Sequence, residues 1–309
     1  MPFLRHLLAM RGIGKVKRRS FLTTGVTMAG AAGMMGINPA VLKAADEKPK
    51  NIRISLAAYS VRQALTKTDY DLFKFLDWCA EMDLDGAELT SYYFKEGFDS
   101  AYLRKLRNHA FHNGVAISGT AIRNDFCKPA GPEKDREIEA VRKWIDYAAD
   151  LWAPHVRIFA GNAPEEAKKE DAIRWTAEGV KAVLDHAEKR GVVLGLENHG
   201  GITALPEDHL AICELVGKHP YFGVNLDTGN YRRNPYEDLK VTAPWAVNVQ
   251  VKIEVFKDGK KVLADLSKFR DVIVGAGYKG WVALEYEGQG DPFEECPMYL
   301  KKLKNLFVS

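Results

Sequence analysis

From residue 52 onward the chain alternates two hydrophobic rhythms. Short apolar or β-branched runs, among them "IRISLAAYS" (52–60), "VAISGTAI" (115–122), "HVRIFAG" (155–161) and "VVLGLEN" (192–198), read as strands. Each is followed by a longer stretch whose apolar residues recur every three or four positions. Leu72, Phe75, Leu76 and Cys79 do so after the first run, which predicts a helix with one buried face. Eight strand-then-helix units can be counted in this way. Strict alternation requires parallel strands joined by right-handed crossovers, so the choice lies between a closed eight-stranded barrel and an open doubly wound sheet. The length suits a barrel, and no GxGxxG or GxxxxGK[ST] follows the first strand to support a nucleotide-binding sheet. The predicted fold is α/β, a (β/α)₈ TIM barrel over 52–309, with no internal repeat beyond the alternation itself.

The seventh unit opens with "AVNVQVKIEVF" (246–256), in which Asn248, Gln250, Lys252 and Glu254 alternate with Val247, Val249, Val251, Ile253 and Val255. A period of two puts the polar set on one strand face and the apolar set on the other. Through Lys252 this fits the seventh barrel strand, with the valines packed under helices and Gln250 and Lys252 directed inward. From Glu254 to Val262 the turn signal Asp258-Gly259 predicts a small hairpin at the rim.

The first 45 residues follow neither rhythm. They hold seven Lys or Arg and no Asp or Glu, then a weakly hydrophobic Gly/Ala/Met run and small residues near Ala44 and Ala45. Arg18-Arg19-Ser20-Phe21-Leu22 resembles the twin-arginine (Tat) motif, which implies export of a folded protein, a signal peptide over 1–45, a linker over 46–51 and a periplasmic or exported product. The run from Leu22 to Leu42 is interrupted by glycines and Pro39, so no stable membrane insertion is expected after cleavage. Without these residues, 37 basic side chains face 41 acidic ones, a balance of −4 rather than the +3 of the whole chain. That balance argues against a nucleic-acid partner. Cys79, Cys127, Cys213 and Cys296 are scattered without a CxxC and are expected as thiols rather than a disulfide framework.

In a barrel of this kind, active-site groups stand at the C-terminal ends of the strands. Four successive strands end in an oxygen-bearing side chain: Glu197, Asp227, Gln250 and Glu285. Burying three carboxylates together is costly unless they share positive charge. A divalent cation would supply it, and an all-oxygen set suits Mn²⁺ or Mg²⁺, with Zn²⁺ or Co²⁺ tolerated. The alternative is that each acid pairs with Arg62, Arg123, Arg157 or Lys252, or caps a helix.

The segments "GLENHGG", "NLDTGNY", "VQVKIE" and "YKGWVALEYEG" resemble the xylose-isomerase-like (β/α)₈ superfamily of sugar phosphate isomerases and epimerases over residues 52–305. That superfamily includes ketose 3-epimerases, inosose dehydratases and endonuclease IV. The resemblance implies one divalent metal on Glu197, Asp227, Gln250 and Glu285, with Gln250 standing where His is usual. It also implies that Glu197 and Glu285 form an acid/base pair on opposite faces of a bound sugar. Lys252 is then a candidate to neutralise an enolate oxygen, and His199, Arg62, Glu88 and Asn230 are candidates to bind substrate. The expected function is a metal-dependent isomerase or epimerase acting next to the carbonyl of a small carbohydrate. A lyase on a 3-keto-glycoside or inosose, and a non-catalytic sugar-binding barrel, remain as alternatives. Barrels of this type often form homodimers.

Overall fold

A computed structural model describes residues 51–308. The twin-arginine segment expected at 1–45, and nearly all of the linker at 46–51, lie outside them. Eight strands, β1 (Ile52–Ala57), β2 (Gly86–Thr90), β3 (Ala116–Ala121), β4 (His155–Ile158), β5 (Val193–Glu197), β6 (Phe222–Asp227), β7 (Ala246–Val251) and β10 (Gly280–Leu284), form a closed barrel. Every neighbouring pair is parallel, and β1 closes the ring by pairing with both β2 and β10. The expected fold class is therefore the observed one.

Helices cover the outside, and their starts follow from local chemistry. Asp71, Asp99, Asp265 and Asp291 each accept a backbone N–H from the first turn of the helix they precede. Pro132, Pro206, Pro235 and Pro292 open helices at a position where a missing N–H costs nothing. Among the described residues no helix is long and apolar enough to cross a membrane. All four cysteines are free and buried.

β2 and β6 are buried along their whole length, as strands covered on one face by helices and on the other by the barrel interior must be. That interior is a packed core. At the start of β4, His155 fits because its neighbours on β3 and β5 are glycines. A Cβ on Gly195 would lie 2.3 Å from His155 Nε2, and one on Gly119 3.0 Å from Nδ1. Neither ring nitrogen has a hydrogen-bond partner, and burial pushes the imidazole down to about 3, so it is neutral.

After β7 the chain leaves the barrel. β8 (Glu254–Lys257) and β9 (Lys260–Leu263) form an antiparallel hairpin turning on Asp258 and Gly259, both at positive φ. This is the two-residue turn that the Asp-Gly pair predicts.

Candidate functional site

The strand ends deliver the expected side chains to one end of the barrel. Glu197 and Asp227 are the last residues of β5 and β6, Gln250 is the penultimate residue of β7, and Lys252 and Glu285 immediately follow β7 and β10. All five are buried. A cavity of about 670 Å³ opens at this end, lined among others by Arg157, Phe159, Glu197, His199, Lys252 and Glu285. A larger one, about 1010 Å³, lies on the outside beside the β8–β9 hairpin and contains none of these groups.

Glu197 is held on both oxygens. Oε2 forms an ion pair with Arg157 Nε at 2.9 Å, while Oε1 lies 2.6 Å from His199 Nδ1 and accepts from Asn230 Nδ2 at 3.0 Å. Burial would raise this carboxyl, but the Arg157 charge, then His199, outweigh it and bring it down to about 2. An ionised carboxylate only accepts, so His199 must donate through Nδ1. Its Nε2 is the ring nitrogen turned away from Glu197. Phe159 stacks on that ring at 4.1 Å, and the Arg157 guanidinium lies 3.9 Å from the Phe159 centroid. Arg157 also donates to the Ile122 carbonyl at 2.9 Å, which fixes it in place.

Lys252 gathers the other carboxylates. Its Nζ lies 2.8 Å from Glu287 Oε1, 3.0 Å from Glu285 Oε2 and 3.3 Å from Asp227 Oδ2. Burial opposes its charge, yet Asp227, Glu285 and Glu287 together push its pKa well above the ordinary lysine value. Asp227 is raised by burial, against the pull of Lys252. Its Oδ1 accepts from Gly229 N at 2.8 Å, while Oδ2 has no hydrogen-bond donor.

Beneath these groups lies a closed ring of side chains. Gln250 Nε2 and Asn248 Nδ2 both donate to Glu88, reaching across the barrel from β7 to β2. Asn225 Nδ2 donates to Gln250 Oε1 at 2.6 Å, and Asn248 Nδ2 donates to Asn225 Oδ1 at 2.8 Å. Strand pairing is irregular at two of these positions, Glu88 on β2 and Asn225 on β6, which is how a bulge re-aims a side chain. Burial and the Glu285 charge raise Glu88 to about 7.

The expected metal set can now be tested against its surroundings. The oxygens of Glu197 and the amide of Gln250 are taken by protein donors, and Asp227 and Glu285 share the Lys252 ammonium. Among the described residues no group of three or more His, Cys, Asp or Glu is arranged to hold a metal. The donor set as placed does not fit a divalent cation. Gln250, expected as a ligand, is placed in the ring: its carbonyl accepts from Asn225.

Of the residues expected to bind substrate, only His199 lines the cavity. Glu88 belongs to the ring, and Asn230 is spent on Glu197. Arg62 lies over the Tyr59 ring and donates to the carbonyls of Tyr59 and Tyr286. The sequence reading gives Arg157 only as a pairing partner and assigns no role to Asn225, Asn248 or Phe159. Period two would have found them, since Asn225 lies two residues before Asp227, Asn248 two before Gln250, and Phe159 two after Arg157.

Comparison with known proteins extends this picture. Over 200 aligned residues the chain is 24% identical to the probable endonuclease 4 of Acholeplasma laidlawii, covering 61% of this chain and 67% of that protein. The D-psicose 3-epimerase of Clostridium cellulolyticum, solved with D-tagatose, has a TM-score of 0.68 at 13% identity, over 83% of this chain and 100% of that one. The probable 3-DHS dehydratase AsbF of Bacillus anthracis has a TM-score of 0.65 at 14% identity, over 82% and 99%. At such identities a structural likeness speaks for the fold alone. Residues 76–303 match the family described as Xylose isomerase-like TIM barrel, and the chain belongs to that family.

Proposed function

We propose that this barrel moves a proton next to the carbonyl of a small carbohydrate or oxidised carbohydrate, as an isomerase or epimerase. The observation that carries this reading is that one cavity holds a histidine with a carboxylate-fixed tautomer and a buried, charged lysine. His199 Nε2 takes the proton from the carbon beside the carbonyl, and Glu197 stabilises the imidazolium that results. The electrons move to the carbonyl oxygen, and the Lys252 ammonium lies where it can neutralise the enolate. Glu287 is the most exposed of the three carboxylates on that ammonium, at 27%, and is the one a substrate oxygen replaces. Return of the proton from His199 to the neighbouring carbon, with that carbon's hydroxyl proton passing to the former carbonyl oxygen, gives isomerisation; delivery to the opposite face of the original carbon of a proton that Glu285 takes from the Lys252 ammonium beside it gives epimerisation. The flat wall of Phe159 and His199 suits the C–H face of a sugar ring. A relative solved with D-tagatose and named as an epimerase supports the substrate class. A nuclease reading is less well supported, because beyond residue 45 acidic side chains outnumber basic ones, 41 to 37. The Tat-like start at Arg18-Arg19 places the reaction outside the cytoplasm in this proposal, so glycosides and free sugars are the compounds it would meet.

Proton NMR in D₂O against ketoses, inososes and 3-keto-glycosides tests this directly. Exchange at the carbon beside the carbonyl is expected, and His199→Gln should slow it by about 10²-fold or more. Full exchange in that variant would remove His199 from the mechanism, and an unsaturated product would identify elimination in place of isomerisation.

A further inference from the structure

A divalent ion at the mouth would set two positive charges against Glu197, Asp227 and Glu285. Arg157 and Lys252 supply the same two charges to the same three carboxylates, the guanidinium on Glu197 and the ammonium between Asp227 and Glu285. We propose that Lys252 occupies the place of the metal, so that this chain binds no divalent cation at its strand ends and offers substrate an ammonium instead.

The surroundings of Lys252 are built for that side chain. An ammonium has three N–H donors, and three carboxylates from two chain segments, Asp227 at the end of β6 and Glu285 and Glu287 just after β10, surround this one. The residue at 229 is glycine, and a Cβ there would fall 2.8 Å from Lys252 Cβ and 2.9 Å from the Glu254 carbonyl oxygen. The stem therefore runs through space that only glycine leaves open. The Lys252 backbone N–H is tied to Thr228 Oγ1 at 2.9 Å, in the loop that follows Asp227. The remaining expected ligand, Gln250, is turned away: its carbonyl accepts from Asn225 and its amino group donates to Glu88. Moving it toward a metal would break the ring with Glu88 and Asn248. One point charge cannot chelate two adjacent oxygens as a metal does, so the substrate's negative charge is to be met at a single oxygen.

This inference concerns cation binding and holds whichever substrate the barrel takes, so it can fail without the proton-transfer reading failing, and the reverse. The full chain is expressed in medium supplemented with Mn²⁺, Co²⁺ and Zn²⁺, and the purified protein is analysed for metal. It is then titrated with Mn²⁺ at neutral pH by electron paramagnetic resonance, with melting followed with and without EDTA. The expected result is far less than one equivalent of bound metal, no saturable Mn²⁺ site, and a melting temperature indifferent to EDTA. Near-stoichiometric metal, or a melting temperature that EDTA lowers, overturns the proposal. Two variants separate lysine occupancy from the missing imidazole. Lys252→Gln should create Mn²⁺ binding at least about tenfold tighter than wild type. Gln250→His alone should create none, and binding gained by that variant would show that the absent imidazole, not the lysine, kept metal out. If Lys252→Gln does not fold, the wild-type measurements and Gln250→His decide the matter.

Discussion

Glu88 on β2 and Glu197 on β5 are equally hidden, at 1% and 2% exposure, and the same barrel treats them in opposite ways. Glu197 touches a guanidinium and a histidine and is brought down to about 2, whereas Glu88 receives only the amides of Asn248 and Gln250 and rises to about 7. Both carboxyls have their oxygens satisfied, so hydrogen-bond count does not separate them. The difference lies in charge: an amide fills a lone pair without repaying the loss of water around an ion, and a guanidinium does both. The β5 side of the interior is thereby a permanently ionised site, and the β2 side is a polar ring that gives up or takes a proton near neutrality.

Removing the charge from the Glu197 side should have the largest effect. Arg157→Met keeps much of the side chain's length but leaves a buried carboxylate without a counter-charge, a change expected to cost about 3–5 kcal/mol in urea unfolding. A loss under about 1 kcal/mol would show that solvent already reaches Glu197.

The Glu88 side is tested by pH. Its folded value of about 7 lies above the ordinary 4.5, so the folded protein keeps a proton that the unfolded chain has lost. The associated stability is fully present below pH 4.5 and is lost as the pH rises to about 7, amounting to about 3 kcal/mol over that window. Subtracting the unfolding curve of Glu88→Gln from that of wild type at each pH should expose this slope. A flat difference would mean that the amides hold Glu88 ionised after all.

The smallest effect is expected where an ion pair has no burial to amplify it. Glu254 and Lys261 face each other across the β8–β9 hairpin at 3.6 Å, with side chains 23% and 47% exposed. Glu254→Ala should move the unfolding midpoint by less than about 0.5 kcal/mol. A larger change would imply that the hairpin braces the barrel.

Much of this architecture could be read from spacing alone. The alternation of strand and helix rhythms gave the barrel, Asp258-Gly259 gave the hairpin, and the period of two in "AVNVQVKIEVF" separated buried valines from inward polar residues. Spacing also brought Glu197, Asp227, Gln250, Lys252 and Glu285 to one end. Partner choice could not be read in the same way, because it depends on contacts across the barrel. Gln250 meets Glu88 at a separation of 162 residues, and nothing local in "VNVQV" shows that its amide is committed there. Arg157 sits in "HVRI", where a charged residue amid apolar neighbours is a signal, but not one that tells Glu197 from Glu285 as its partner. The residue types were legible; which cation each acid answers to was a property of the closed ring.

His155 has a consequence for traffic. Wedged against the bare backbone of Gly119 and Gly195, it fills space at the start of β4, at the end of that strand opposite Arg157 and the cavity. In the proposed reaction, substrate and product would then both use the cavity at the strand ends. Under that proposal, product still seated there would bar the next substrate, and inhibition by product should take the competitive form.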